Sequence, residues 1–83
     1  MTRDEIIKTI RQLWVEELEV EQEEFSNDES MFDLGGTSLQ GGYIFDGIRE
    51  ECGVKLMVHL MFENDTVNAM ANLVEEKLKE KNQ

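Results

Sequence analysis

The sequence predicts an all-α fold, a bundle of three main helices and one short helix with a long loop between the first and second helices. Apolar residues recur at steps of three and four in three segments, which is the period of a helix with one buried face. Capping residues and a glycine stand at the ends expected for these helices. At 83 residues the chain is expected to form one domain, residues 1–83, because a second core would need many more residues.

The first helix is predicted over residues 3–17. Thr2 and Glu5 have the spacing of a capping box, in which a hydroxyl and a carboxylate satisfy the first free backbone N–H groups. Apolar residues recur through the segment on one face. The residues expected to face the core are Ile6, Ile7, Ile10, Leu13 and Trp14.

A long loop follows the first helix. Residues 16–33 contain nine acidic and no basic residues, and the helical period fades after Leu18. A loop of this length inside a small domain is uncommon and is usually functional. The apolar residues expected to fix it to the core are Val20, Phe25, Met31 and Phe32.

The second helix is predicted over about 38–52, with Thr37 or Ser38 as its N-cap and Gly53 at its end. Three glycines lie inside it, and each weakens a helix interior by roughly 1 kcal/mol relative to alanine. Close packing would justify Gly41, whereas Gly42 and Gly47 are predicted to be sites of weakness. The predicted core residues of this helix are Leu39, Gly41, Ile44, Phe45 and Ile48.

The last third of the chain predicts a short helix at 60–64 and a final helix at about 66–80. Asp65 or Thr66 is expected to cap the final helix. The residues expected in the core are Met61 and Phe62 from the short helix, and Val67, Met70, Ala71 and Val74 from the final one.

Composition excludes several classes of function. Eight basic against nineteen acidic residues give a net charge of −11, so binding to nucleic acid or to an anionic membrane surface is disfavoured. No stretch has the length and apolarity of a membrane span. The single cysteine, Cys52, excludes an internal disulfide, and it fits a reducing compartment, so the expected location is the cytoplasm.

Few residues offer catalytic chemistry. His59 is the only histidine, Cys52 is predicted to be an inert apolar residue, and the acidic residues form no specific pair or metal-ligand pattern. No catalytic or metal-binding residue is therefore predicted. Ser38 remains, because it stands at a helix start after two glycines. It is either a cap or a modification acceptor whose activation comes from another protein.

The string FDLGGTSL at 32–39 resembles the phosphopantetheine attachment motif of carrier proteins, particularly the peptidyl carrier domains of nonribosomal peptide synthetases. Two further segments, EECGVKL at 50–56 and LMFENDTVNAMANLV at 60–74, resemble the parts of the same family that follow the motif. Nearly the whole chain is covered. Asp65 departs from the family pattern, which has proline there, and Thr37 stands where histidine or aspartate is frequent.

The resemblance implies an acyl-carrier-like four-helix bundle, monomeric and without catalytic activity of its own. It implies that Ser38 receives 4′-phosphopantetheine from coenzyme A through a magnesium-dependent phosphopantetheinyl transferase. The thiol of this cofactor would hold an aminoacyl, peptidyl or acyl group as a thioester for adenylation, condensing, tailoring or thioesterase enzymes. The motif residues around Ser38 are Asp33, Leu34, Gly35, Gly36, Thr37 and Leu39, and the docking candidates are Leu39, Asp46, Glu50 and Glu51.

Two alternatives stay open. In the first, the chain is a carrier-like helical domain that only binds protein partners, its serine is never modified, and Ser38 is an N-cap. In the second, the chain is a small hydrolase whose nucleophile is Ser38 and whose base is His59, the only histidine available.

Overall fold

Three α-helices make up the computed structural model, which describes residues 1–81. They are α1 (Arg3–Leu18), α2 (Ser38–Cys52) and α3 (Val67–Lys81). A long loop joins α1 to α2 and contains a 3-10 turn at Gln22–Glu24, and the connection from α2 to α3 contains a second 3-10 turn at Val58–Phe62. The all-α prediction is confirmed. The predicted fourth helix at 60–64 is corrected, because this segment begins at Val58 and is a 3-10 turn.

The start of α1 has the predicted capping box. The Thr2 hydroxyl accepts a hydrogen bond from the Glu5 N–H at 3.2 Å, and the Glu5 carboxylate accepts one from the Thr2 N–H at 2.8 Å. The bond from the Thr2 backbone, followed by that involving its side chain, lowers the pKa of Glu5. The predicted buried face is also confirmed: Ile6, Ile10 and Trp14 are buried, and Ile7 and Leu13 are half-buried against them.

Arg11 fixes the first part of the acidic loop to α1. Its guanidinium donates to the backbone carbonyls of Gln22 at 2.6 Å and Phe25 at 3.1 Å. It also donates to the Asn27 side chain at 2.7 Å, and its central carbon lies 4.1 Å from the centre of the Phe25 ring. Bonds from a charged donor are stronger than neutral ones, so one basic side chain organises a loop that has none of its own.

The second part of the loop is fixed to the start of α3. The Met31 N–H donates to the Asp65 carbonyl at 2.7 Å, and the Ser30 hydroxyl donates to the Asp65 carboxylate. The Asn68 N–H donates to the Asn27 carbonyl at 3.0 Å. The apolar anchors predicted for the loop are confirmed: Phe25 and Met31 are buried, and Val20 and Phe32 are half-buried against the core.

Two of the three glycines in α2 stand at close contacts. A Cβ added at Gly41 would lie 2.5 Å from the Met61 sulfur, and one at Gly47 would lie 2.6 Å from Leu13 Cδ2 on α1. The expectation for Gly41 is confirmed, and that for Gly47 is corrected, because this glycine lets α2 approach α1. The space around Gly42 is open. Gly53 ends α2 with a φ of 70°, as predicted.

Two predicted core residues are instead exposed. Leu39 is 65% exposed, since it lies in the first turn of α2 on the side that faces away from the core. Phe62 is 61% exposed, whereas its neighbour Met61 is fully buried. Adjacent residues of a 3-10 turn point about 120° apart, so only one of the two faces inward. Phe62 stacks on Phe32 of the loop, with ring centres 6.1 Å apart.

The core is centred on Trp14, which is fully buried. Its ring stacks on Phe25 of the loop with centres 5.5 Å apart, and its N–H points to the sulfur of Met70 on α3 at 3.4 Å. Thr66 caps α3 by accepting a hydrogen bond from the Ala69 N–H at 3.0 Å. The predicted buried face of α3 is confirmed for Val67, Met70, Ala71 and Val74.

Candidate functional site

Thr37, and not Ser38, caps the N-terminus of α2. The Thr37 hydroxyl accepts a hydrogen bond from the Gln40 N–H at 3.2 Å, and the Gln40 carboxamide oxygen accepts one from the Thr37 N–H at 3.0 Å. This is a capping box with glutamine at its third helical position. Ser38 is the first residue of the helix proper. The assignment of Ser38 as the N-cap is therefore wrong, and of the two caps expected from the sequence Thr37 is the one observed.

The Ser38 side chain is exposed. Within residues 1–81 its hydroxyl has no hydrogen-bond partner, and neither do the backbone N–H groups of Ser38 and Leu39. Free N–H groups at the start of a helix form its positive end and bind phosphate. A phosphate attached to the Ser38 oxygen would find these two donors in the same helical turn.

Two glycines shape the turn that leads to Ser38. Gly35 has a φ of 90°, in the left-handed region that favours glycine. A Cβ added at Gly36 would lie 2.8 Å from both the carbonyl oxygen and the Cγ of Met31, so no larger residue fits without a shift. The Gly36 N–H donates to that same Met31 carbonyl at 3.0 Å. In this turn Asp33 is exposed and Leu34 is half-buried.

The exposed face of α2 begins next to Ser38. Leu39, Tyr43, Asp46 and Glu50 are all exposed and follow each other at steps of three and four, so they share one side of the helix. We call these four residues the α2 face. It brings together three of the four predicted docking candidates. Glu51 lies on another side of α2, where it lines a shallow groove with the α1 residues Lys8, Thr9, Gln12, Leu13 and Glu16.

Large apolar residues other than Leu39 are also exposed on α2 and in the segment that follows it. Tyr43 is one, and the others are Met57, Val58 and Phe62 from the second 3-10 turn or the residue before it. This turn packs against α2. The exposure of Tyr43 could have been predicted from the sequence, because Tyr43 lies four residues after the docking candidate Leu39 and therefore on the same side of the helix. The exposure of the other three residues depends on how the 3-10 turn is rotated.

The other two side chains with potential catalytic chemistry, His59 and Cys52, form no site with Ser38 in the described part of the chain. His59 is exposed, and no hydrogen bond links it to Ser38 in the described part of the chain. Cys52 is buried at the other end of α2. Burial raises the pKa of its thiol, and the Glu51 carboxylate adds to the rise. Among residues 1–81, no three His, Cys, Asp or Glu side chains come together in a way that would hold a metal ion.

Comparison with known families matches residues 8–74 to the family described as "Phosphopantetheine attachment site". The chain belongs to this family. The predicted cofactor, 4′-phosphopantetheine held covalently, is thereby confirmed for the domain. The exposed Ser38 hydroxyl and the N–H groups beside it, which have no partner within residues 1–81, fit the phosphate of this cofactor. None of the helices within the described residues has the length and apolar character needed to cross a bilayer.

Curated relatives of this phosphopantetheine attachment domain are much longer proteins. An aldehyde reductase of Aspergillus flavus (lnbA) is 34% identical over 65 residues, 76% of this chain and 6% of the relative. A nonribosomal peptide synthetase of Aspergillus hancockii (hkm10) is 30% identical over 63 residues, 76% of this chain and 6% of the relative. A malformin synthetase of Aspergillus homomorphus (mlfA) is 33% identical over 67 residues, 81% of this chain and 1% of the relative. No solved structure matches the chain.

The raised pKa of Cys52 leads to a prediction about thiol reactivity in the phosphopantetheine attachment domain. The folded, unmodified protein should react with a disulfide reagent at pH 8 at least about tenfold more slowly than free cysteine, because a buried thiol with a raised pKa holds little thiolate. Attachment of phosphopantetheine should add one fast-reacting thiol. In Cys52→Ala only the fast thiol should remain. Fast reaction of the unmodified, folded wild type would contradict the prediction.

Proposed function

We propose that this phosphopantetheine attachment domain bears 4′-phosphopantetheine on Ser38 and acts as a carrier. It holds an aminoacyl, peptidyl or acyl group for partner enzymes in nonribosomal peptide or related biosynthesis. One observation carries the proposal: the Ser38 hydroxyl is exposed at the start of α2 and has no hydrogen-bond partner among residues 1–81, while Thr37 performs the capping that would otherwise explain a serine there.

The roles of the residues follow from their positions. The Ser38 oxygen forms a bond to the phosphorus of the phosphopantetheine group of coenzyme A, the pyrophosphate bond breaks, and 3′,5′-adenosine diphosphate leaves. The N–H groups of Ser38 and Leu39 stabilise the negative charge of the attached phosphate. Gly35 and Gly36 add no side chain that would obstruct an approaching enzyme. When bound, the cofactor supplies a terminal thiol that carries the cargo as a thioester. The base that deprotonates Ser38, and the magnesium, come from the phosphopantetheinyl transferase, so the domain has no catalytic activity of its own in this proposal.

The relatives support the class of pathway. One is a nonribosomal peptide synthetase, and the chain matches a small part of it. We therefore propose that the partners, besides the transferase, are an adenylation or other loading enzyme and downstream condensing, tailoring or thioesterase enzymes. The cytoplasm is the location proposed for this exchange, in keeping with a sequence whose one cysteine cannot form an internal disulfide.

The proposal is tested by incubating the protein with coenzyme A, magnesium and a broad-specificity phosphopantetheinyl transferase. Intact mass should increase by one phosphopantetheinyl group. An unchanged mass with several such transferases would contradict the carrier function. Loading that persists in Ser38→Ala would contradict only the assignment of the site.

A second candidate function, a domain that binds protein partners without being modified, draws on the exposed apolar residues of the α2 face. These residues would serve docking in either case. The two functions differ in what Ser38 does: in the second, Ser38→Ala leaves every activity of the protein intact, and the wild type stays unmodified when transferase and coenzyme A are present.

The acidic residues of the α2 face lead to a prediction about association. The double variant Asp46→Asn/Glu50→Gln should associate with the transferase about three- to tenfold more slowly at low salt, and the rate should depend less on salt, because long-range attraction to basic partner surfaces speeds encounter. The matched control is Glu23→Gln/Glu76→Gln, which removes two exposed charges elsewhere. Stopped-flow kinetics measures the association rate of each double variant. If both variants associate equally slowly, the effect is one of net charge, and the docking role of Asp46 and Glu50 is contradicted.

A further inference from the structure

Gln40 connects the end of α1 to the start of α2 at the proposed modification site. Its carboxamide oxygen accepts a hydrogen bond from the Thr37 N–H at 3.0 Å, and its carboxamide nitrogen donates one to the Glu17 carbonyl at 3.1 Å. Both partners are backbone groups of fixed polarity, so the orientation of the carboxamide is determined by them. Only a side chain with a donor and an acceptor in one group makes both bonds.

Both partners are groups that helix ends leave unsatisfied. Glu17 lies in the last turn of α1, where backbone carbonyls have no N–H partner within the helix, and Thr37 is the N-cap of α2. The Gln40 side chain therefore supplies a hydrogen-bond partner to one unsatisfied backbone group at each of the two helix ends. Gly41 and Gly42 follow Gln40 directly, so the first turn of α2 has a low intrinsic preference for helix and depends on such contacts.

A second contact holds the same two helix ends together. A Cβ added at Gly36 would lie 3.1 Å from Leu18 Cδ2, so the last residue of α1 packs on the turn before Ser38. Gln40 and Gly47 lie on the side of α2 that faces α1. This side is separate from the α2 face, and Gln40 is therefore able to influence Ser38 without taking part in the proposed docking contacts.

We propose that Gln40 is a positioning residue for the reaction at Ser38. By fixing the first turn of α2 to the end of α1, it sets the direction in which the Ser38 hydroxyl is presented to a phosphopantetheinyl transferase. The inference rests on the proposed function of Ser38. Its specific element is the bond from the Gln40 nitrogen to Glu17, because the capping box alone needs only the oxygen.

Two variants separate the two bonds. Gln40→Glu keeps an oxygen for the Thr37 N–H and loses the donor to Glu17, whereas Gln40→Lys keeps a donor and loses the oxygen. The single-turnover rate of phosphopantetheine transfer, measured with carrier at saturation, should fall about fivefold in Gln40→Glu, the ratio expected for one lost hydrogen bond. It should stay within about twofold of wild type in Gln40→Lys.

The same charge changes at Gln12 control for net charge, and the neutral variant Gln40→Met controls for charge beside Ser38. Gln40→Met loses both bonds without a change of charge, so its transfer rate should fall at least as far as that of Gln40→Glu, and a wild-type rate would overturn the inference. Gln12 is exposed on α1 and donates to the Glu16 side chain, and the rates of Gln12→Glu and Gln12→Lys should equal that of wild type. Amide exchange gives a readout that needs no transferase. The Gly41 N–H, which donates to the Thr37 carbonyl at 2.9 Å, should exchange about fivefold faster in Gln40→Glu.

If Gln40 only stabilised the fold, the transfer rates of the two variants would have the opposite order. The lost capping box should make Gln40→Lys the less stable variant in thermal unfolding, so transfer rates that follow stability, with Gln40→Lys slower than Gln40→Glu, would overturn the inference. A wild-type transfer rate and wild-type exchange of Gly41 in Gln40→Glu would overturn it as well. Both results leave the proposed function intact, whereas a wild type that is never loaded overturns the function and the inference together.

Discussion

Ser38→Ala is expected to lose phosphopantetheine loading completely while its free energy of unfolding stays within about 0.5 kcal/mol of wild type. Loading is lost because alanine has no oxygen to accept the phosphate. Stability is kept because the Ser38 hydroxyl is exposed and makes no hydrogen bond within the described residues, and the cap of α2 is Thr37. Intact mass after incubation with transferase and urea unfolding measure the two quantities.

Thr37→Ala is the matched control and should give the opposite pattern. Removing the capping hydroxyl should lower the free energy of unfolding by about 1 kcal/mol, while the protein is still loaded. The contrast separates chemistry at residue 38 from helix capping at residue 37. A Ser38→Ala variant that loses as much stability as Thr37→Ala, or that is still loaded, would contradict the assignment.

Trp14→Ala is expected to lower the free energy of unfolding by about 3–5 kcal/mol, the largest effect on stability that the fold predicts. Trp14 is fully buried and contacts three parts of the chain: α1 itself, Phe25 of the loop and Met70 of α3. Removing the ring leaves a cavity between all three. Native proteins are stable by about 5–15 kcal/mol and small domains lie toward the lower end of this range, so the variant should lie close to unfolding at room temperature.

Tyr43→Ala serves as the control for the loss of an aromatic ring, because Tyr43 is exposed on α2. It should change the free energy of unfolding by no more than about 0.5 kcal/mol. Urea unfolding followed by far-UV circular dichroism measures both variants. Similar losses in the two would show that Trp14 is not the centre of the core. Loading of Trp14→Ala should fall only as far as its folded fraction does.

The helices could be predicted because their signals are local. Three- and four-residue apolar steps with a capping box at Thr2 predicted 3–17 for the helix observed at Arg3–Leu18, and the glycine at 53 correctly ended the second helix. The family motif around Ser38 is likewise a local pattern. Such features depend on residues within a few positions of each other, which is the information a single sequence contains.

The rest depends on contacts between residues that are distant in the chain. Arg11 bonds to the loop up to sixteen residues away, and the Gln40 side chain reaches back twenty-three residues to Glu17. An apolar residue on a helix also does not reveal whether it faces the core or a partner. This is why Leu39 and Phe62 were expected to be buried and are exposed.

The negative charge of the chain is unevenly distributed around Ser38. Residues 12–48 contain no lysine or arginine, so no basic residue stands within ten positions of Ser38 in the chain. The α2 face starts with the apolar residues Leu39 and Tyr43 and continues with Asp46 and Glu50. An apolar contact near the proposed attachment residue, with acidic residues beyond it, fits brief docking to basic partner surfaces, in which charge speeds encounter more than it tightens binding.

The most direct test of the carrier function is mass spectrometry of the protein purified from its native source. We expect the peptide that contains Ser38 to carry one phosphopantetheinyl group, with an aminoacyl, peptidyl or acyl cargo on part of the population. Because the cargo is measured with the attachment site, this experiment also reports the substrate class. A Ser38 that is unmodified in every molecule, or a phosphopantetheinyl group on another residue, would contradict the proposed function.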